Sequence, residues 1–382
     1  MRLLLLALAL ALPVAGCAQA PSPEAEQALP GFATNTAQRT IDLSELMSGG
    51  PPKDGIPSID APQFVSAEAA SGWLAPQEPV ILLEVGDEAK FYPLQILTWH
   101  EIANDTLGGR PVAVTFCPLC YSAVAFDRRV ETGGETRTLS LGVSGMLRFS
   151  DMVIYDRQTE TLWQQFTGEA LVGDLVGTTL EILPAQIVSF AQARAAHPEA
   201  PVLSRETGHA RDYGRNPYAG YDDVGARPFA FRGPEDGRLP PMARVAAVEV
   251  ETASGPAFRA YPASVTRERR VVHDTLGGQR IVVFHADGAT TALGAAQIAE
   301  AREVGTTGAF RPEAAVDGET TALTFRYDNG AFVDDQTGSR WRVTGEATAG
   351  PLAGAELAPV LHHDTFAFAW FAFRPETTVY AE

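Results

Sequence analysis

Between residues 55 and 204 the apolar positions fall in short runs separated by Gly, Asn, Asp and Pro, a rhythm of strands and turns more than of helices. VILLEV (80–85) and the segment through Phe91 flank Gly86-Asp87 and predict a hairpin. Residues 94–103 have helical character, with Pro93 near the start and Asn104-Asp105 and Gly108-Gly109 as stops. Residues 112–116 read as a buried-type strand that delivers Cys117 at its end. Further strands are predicted over 121–126, 138–143 and 152–155, and a second helix over 185–196 between Pro184 and His197-Pro198. Short strands, few helices and many turns imply an α+β fold with mainly antiparallel sheet.

An internal repeat organises the chain. The stretch FYPLQILTWHEIANDTLGGRPVAVTFCPLC recurs as AYPASVTRERRVVHDTLGGQRIVVFHADG, and DRQTETLWQQFTGEALVG recurs as DQTGSRWRVTGEATAG. The second pair aligns Trp163 with Trp341, both read as core, and Gly168-Glu169 with Gly345-Glu346. The expected layout is a first copy over 53–204, a connector over 205–238 and a degenerate second copy over 239–382. Two tandem copies of one β-rich unit pack as a pseudo-twofold pair, since a solenoid needs more repeats. The connector is rich in aromatic and turn residues, and its Arg211, Tyr213 and Tyr218 are candidates to line a cleft between the copies.

The N-terminus points to a compartment. Arg2 precedes an apolar run over 3–12, too short for a permanent membrane span, and the run leads into Val14-Ala15-Gly16-Cys17. That box resembles a bacterial lipoprotein signal, so residues 1–16 are expected to be removed and Cys17 lipidated. Residues 17–52, rich in small and turn-forming residues, then read as a flexible tether. An extracytoplasmic, lipid-anchored protein is expected, with the periplasmic side of the outer membrane favoured because Ala18 follows Cys17. The chain carries 29 basic and 47 acidic residues, a formal charge of −18, which argues against a nucleic-acid partner. Its size implies more than one domain.

The chemistry gathers at FCPLC. With Cys17 assigned to processing, Cys117 and Cys120 are the remaining thiols. The second copy has lost them: His285 is aligned with Cys117, Gly288 with Cys120, and Arg269 with His100. Three readings are open. In the first, Cys117 is an attacking thiolate, Cys120 the resolving thiol and His100 a base or cationic partner, for disulfide exchange or reduction of a small oxidant. In the second, Cys117, Cys120 and His100 hold copper or zinc, with Met146 or Met152 as a fourth ligand. In the third, the cysteines form a structural disulfide, which would be a weak staple because the ring is small. The partner, a small molecule or a protein thiol, is left open by all three.

Asp151 and Asp156 flank a predicted strand and are candidates to orient the site, although Asp156 also reads as a turn cap, with Asp334 as its counterpart. His197, His209, His362 and His363 have no ligand spacing with the cysteines and read as surface or turn residues. The run Gly142-Val143-Ser144-Gly145-Met146 lacks the last glycine of a nucleophile elbow, and no phosphate loop or dinucleotide fingerprint occurs. Tyr121 follows Cys120 where haem attachment requires histidine, and the strand-like YSAVAF disfavours a thioredoxin-like fold, whose CxxC opens a helix.

Taken jointly, HEIAND, FCPLC, LGVSGMLRFSDMVIYDRQTETLWQQFTGEALVG and RDYGRNPY resemble the family known as domain of unknown function 3179. The resemblance covers most of the first copy and the connector. Proteins similar to these include members with selenocysteine at the dithiol motif, which implies a redox-active position. The second copy departs from that pattern and reads as scaffold.

Overall fold

The structure is a computed structural model, and it describes residues 29–316 and 318–381. The leader and Cys17 lie outside the described residues. The molecule is built of mainly antiparallel sheets with a few short helices, and each sheet takes its strands from one side of residue 205. Among the described residues no helix is long and apolar enough to cross a membrane.

The predicted hairpin forms between Pro79–Val85 and Glu88–Pro93, with Val85 opposite Glu88. The turn needs a left-handed residue, and Gly86 supplies it at φ 61°. The helix that follows is shorter than the pattern implied. It runs over Leu94–His100 and stops because Glu101 turns left-handed at φ 59°. Its amide still reaches Leu97 O, and the chain leaves as the strand Ile102–Leu107. That strand pairs with Arg110–Cys117, which pairs in turn with Ser122–Asp127.

Residues 185–196 also differ from expectation. Ala185–Ser189 is a strand on the outer side of Pro79–Val85, and only Phe190–Ala196 is helical. Ile187 and Val188 are β-branched and suit a pleated surface. Ser189 then caps the helix reciprocally with Gln192, so the true start signal lay in the middle of the apolar run.

The tether reading fails for residues 29–52. Leu29, Phe32, Leu43 and Leu46 are buried against Val153, Tyr155 and Leu171. Met47–Ser48 adds an edge strand to Leu141–Arg148. The segment passes so close that a side chain at Gly145 would collide with Pro51 O. A small-residue composition concealed a few well-spaced apolar anchors, and burying them offsets the entropy of ordering the segment.

Beyond the connector the same order of elements recurs. Arg244–Val250 and Ala257–Pro262 form a hairpin, the helix Ala263–Arg269 ends on left-handed Arg270 at φ 64°, and Val271–Leu276 pairs with Gln279–Ala286. Asp156 accepts from Thr159 N, Thr159 Oγ1 and Trp163 Nε1, and Asp334 does the same with Thr337 and Trp341. Both aspartates are buried turn caps. One apolar core joins the two sides of the molecule, running from Phe116 and Tyr121 to Phe366, Phe368 and Trp370.

Candidate functional site

Cys117 is the last residue of its strand and pairs with Ser122. The chain reverses through Pro118-Leu119-Cys120-Tyr121, closed by a hydrogen bond from Tyr121 N to Pro118 O, with Tyr121 at φ 55°. Both cysteines therefore sit at a hairpin tip, and the N-cap residue Phe366 of the helix Ala367–Phe373 is bonded to the Cys120 carbonyl. The tip is held from the far half of the chain. Cys120 O accepts from Phe366 N at 3.1 Å and Thr365 Oγ1 at 2.8 Å, and Tyr121 Oη accepts from Ala292 N.

A second hairpin brings a carboxylate. Leu141–Arg148 and Asp151–Asp156 are joined by Phe149-Ser150, both left-handed at φ 51° and 72°. A two-residue turn of this kind favours Asn-Gly. Holding Phe and Ser there costs about 1–2 kcal/mol per residue. Ser150 is fixed by donating its hydroxyl to Phe229 O at 2.5 Å. The next residue is Asp151, and its carboxylate lies with both sulfurs in a group whose ligand atoms are all within 4.8 Å of one another. Its Oδ2 accepts from Gln164 Nε2 at 2.6 Å and Phe166 N at 3.1 Å, while its Oδ1 is buried without a hydrogen-bond partner. Cys117 Sγ is 3.9 Å from Ser150 O.

Charge at this site is poorly supported. Cys117 and Cys120 are 1% and 0% exposed. Burial pushes the Cys117 thiol up, and it pushes Cys120 well up, with Cys117 and Asp151 adding to the shift. Burial also carries the Asp151 carboxyl up to about 7. Glu101, 7% exposed, rises to about 8 through burial, with Asp151 adding to it. Four acidic groups thus crowd one desolvated spot, where burial is the main obstacle to ionisation and the neighbouring thiols partly offset it at Asp151.

His100 does not join them. Burial lowers its pKa to about 4, so the ring is neutral. Its Nδ1–H donates to Pro57 O at 2.8 Å, and its Nε2 accepts from Tyr213 Oη at 2.6 Å. The structure thus replaces the expected cysteine–histidine pairing with cysteine–aspartate, because the helix presents His100 to the connector. A neutral ring already engaged on both nitrogens cannot serve as a cationic neighbour to a thiolate.

The other candidates divide. Tyr213 holds His100 and Thr207, whereas Arg211 is exposed and donates to Ala210 O. Asp156 is committed to its turn. Met146 and Met152 fall on opposite faces of their hairpin by strand alternation: Met152 is in the core with the thiols, Met146 packs on residues 29–46. His209 is exposed and packs on His100, and His197 pairs with Glu84, but His362 and His363 are buried, a departure from the surface reading. Backbone pairing also moves one alignment. Phe116 N donates to Glu101 O, and its like is His285 N to Arg270 O, so Ala286 stands in the place of Cys117.

A cavity of about 610 Å³ adjoins the dithiol turn. Leu119, between the two cysteines, is in its wall, as are Glu101, Met152 and the connector residues Tyr218, Tyr221 and Phe229. Tyr221 Oη donates to Leu119 O at 3.0 Å and accepts from Phe229 N, tying the connector over the site. Glu101 was missed in sequence although a signal existed: it follows His100 in HEIAND and becomes Arg270 in the second stretch. The hairpin Phe325–Asp328 with Ala331–Asp334 turns at Asn329-Gly330, before reaching an equivalent of Asp151.

These features define a mainly antiparallel β protein with a buried dithiol–carboxylate cluster beside an apolar chamber. Residues 53–377 match the family described as "Protein of unknown function (DUF3179)", and the chain belongs to that family. No curated protein and no solved structure matches the chain.

Proposed function

We propose that this protein binds a zinc-like divalent ion through Cys117, Cys120 and Asp151. One observation carries the reading: a buried carboxylate oxygen with no hydrogen-bond partner faces two neighbouring thiols. A tetrahedral zinc with bonds of about 2.3 Å sets its sulfurs about 3.8 Å apart, within the spread of this group. A cation would offset the repulsion and desolvation that now oppose ionisation of all three ligands. Two thiolates with a carboxylate suit zinc better than copper(I), which favours all-soft donors. Three protein ligands leave a fourth position open, as in zinc sites that exchange or activate a bound molecule.

Metal analysis of anaerobically purified protein tests this. One zinc per chain is expected, lost in Cys117→Ser and Cys120→Ser and held at least about tenfold more weakly in Asp151→Asn. Copper(I) bound with an affinity indifferent to Asp151→Asn would transfer the site to copper. Binding of neither metal overturns the reading.

A second reading is thiol redox chemistry, favoured by the proximity of two free thiols at one hairpin tip. Alkylation and mass spectrometry across a series of redox buffers would detect it as a reversible loss of two labels, which a permanent metal site would suppress.

Around this site we infer two degenerate copies related by a pseudo-twofold, the second serving as scaffold. The recurring element order and the shared aspartate–tryptophan turn support that division. The leader pattern and Cys17 support an extracytoplasmic, lipid-anchored protein on the periplasmic side of the outer membrane. Incorporation of labelled palmitate, abolished in Cys17→Ser, would check the anchor.

A further inference from the structure

The chamber beside the cluster has its own chemistry. Its volume of about 610 Å³ is that of a small-molecule site. Its lining includes no lysine, arginine or histidine, and its one ionisable carboxyl is Glu101. That carboxyl is more than nine-tenths buried and has no hydrogen-bond partner among the described residues. Its position is fixed from both sides, by Glu101 N on Leu97 O and Glu101 O on Phe116 N.

Three aromatic rings stand on the same wall. Tyr218, Tyr221 and Phe229 come from the connector, and two of them are held in place by the Tyr221 hydroxyl bridging Leu119 O and Phe229 N. Phe229 is 52% exposed, an unusual position for so large an apolar ring, and it stands at the mouth of the chamber. A carboxyl facing several aromatic rings in an otherwise apolar pocket suits a cation whose charge is spread over methyl or methylene groups. Such a ligand leaves its body in apolar contact, gives the rings a cation–π partner, and supplies the counter-charge that Glu101 lacks.

We propose that this chamber binds a small organic ammonium compound, with Glu101 as counter-ion and Tyr218, Tyr221 and Phe229 as its aromatic enclosure. The reading is independent of the metal, which occupies different atoms. It predicts a binding activity for the connector.

The test is calorimetric titration of the full folded chain, with and without zinc, using choline and its uncharged isostere in which a tert-butyl group replaces trimethylammonium. Choline is expected to bind saturably at least about tenfold more tightly than the isostere. Glu101→Gln should remove most of that preference, and Phe229→Ala, at a half-exposed position, should weaken choline about threefold. Equal binding of the two probes, tighter binding of the isostere, or binding of neither overturns the proposal. If Glu101→Gln fails to fold, the comparison of the two probes on the wild-type chain decides alone. Choline binding that persists in zinc-free protein would stand even if the metal reading fell.

Discussion

Asp151→Asn should make the metal-free protein more stable, and the gain should depend on pH. In the folded chain the Asp151 carboxyl is raised from 3.8 to about 7, chiefly by burial. A group with a raised folded-state pKa leaves stability intact below its unfolded value. It lowers stability progressively as pH rises through the folded value, and the cost then levels off. Three units correspond to about 4 kcal/mol of lost stability above pH 7, and to less than about 1 kcal/mol near pH 4. Asparagine keeps an oxygen to accept from Gln164 Nε2 and Phe166 N, so the local geometry is retained. Urea unfolding in excess chelator, followed by tryptophan fluorescence, should show the variant more stable by a few kcal/mol near pH 8 and nearly equal to wild type near pH 4. Added zinc should stabilise the wild type and leave the variant behind, a sign that the carboxylate is kept for binding at the expense of stability. A variant destabilised by the same amount at both pH values would make Asp151 an ordinary structural acceptor and refute the argument.

Three further outcomes are expected. Asp156→Ala and Asp334→Ala each remove a buried acceptor from a turn amide, a threonine hydroxyl and a tryptophan indole, so each should cost about 2–3 kcal/mol in urea unfolding without altering zinc affinity. His100, lowered to about 4 by burial, should penalise the fold as pH falls from about 6.5 towards 4, by up to about 3 kcal/mol; in His100→Gln that part of the acid dependence should vanish while zinc affinity stays within about twofold. Phe32→Ala should lower stability by about 3 kcal/mol in thermal melts, because Phe32 packs edge-on to Tyr155 and under Lys53; no change would restore the view of residues 29–52 as a loose tether.

The strands around the dithiol were legible because largely apolar runs end at turn residues, and Cys117 does sit where such a run stops. The site's third member was less so. Helical periodicity placed His100 on a helix correctly, but which way that helix faces depends on the left-handed step at Glu101, which no local pattern announces. Asp151 stood out only as one of two acids flanking a strand. Telling it from Asp156 needed the hydrogen bonds, since the two carboxylates are equally buried and differ in what they accept. Likewise the connector's aromatic richness was visible, yet its seat over the cavity comes from long-range bonds such as Gly220 N to Leu293 O.

The carbonyl of Cys120 and the hydroxyl of Tyr121 take their hydrogen bonds from residues more than 170 positions away. The half without cysteines is therefore a splint for the dithiol turn. A fragment ending at residue 238 would keep every proposed metal ligand yet leave that loop without its brace.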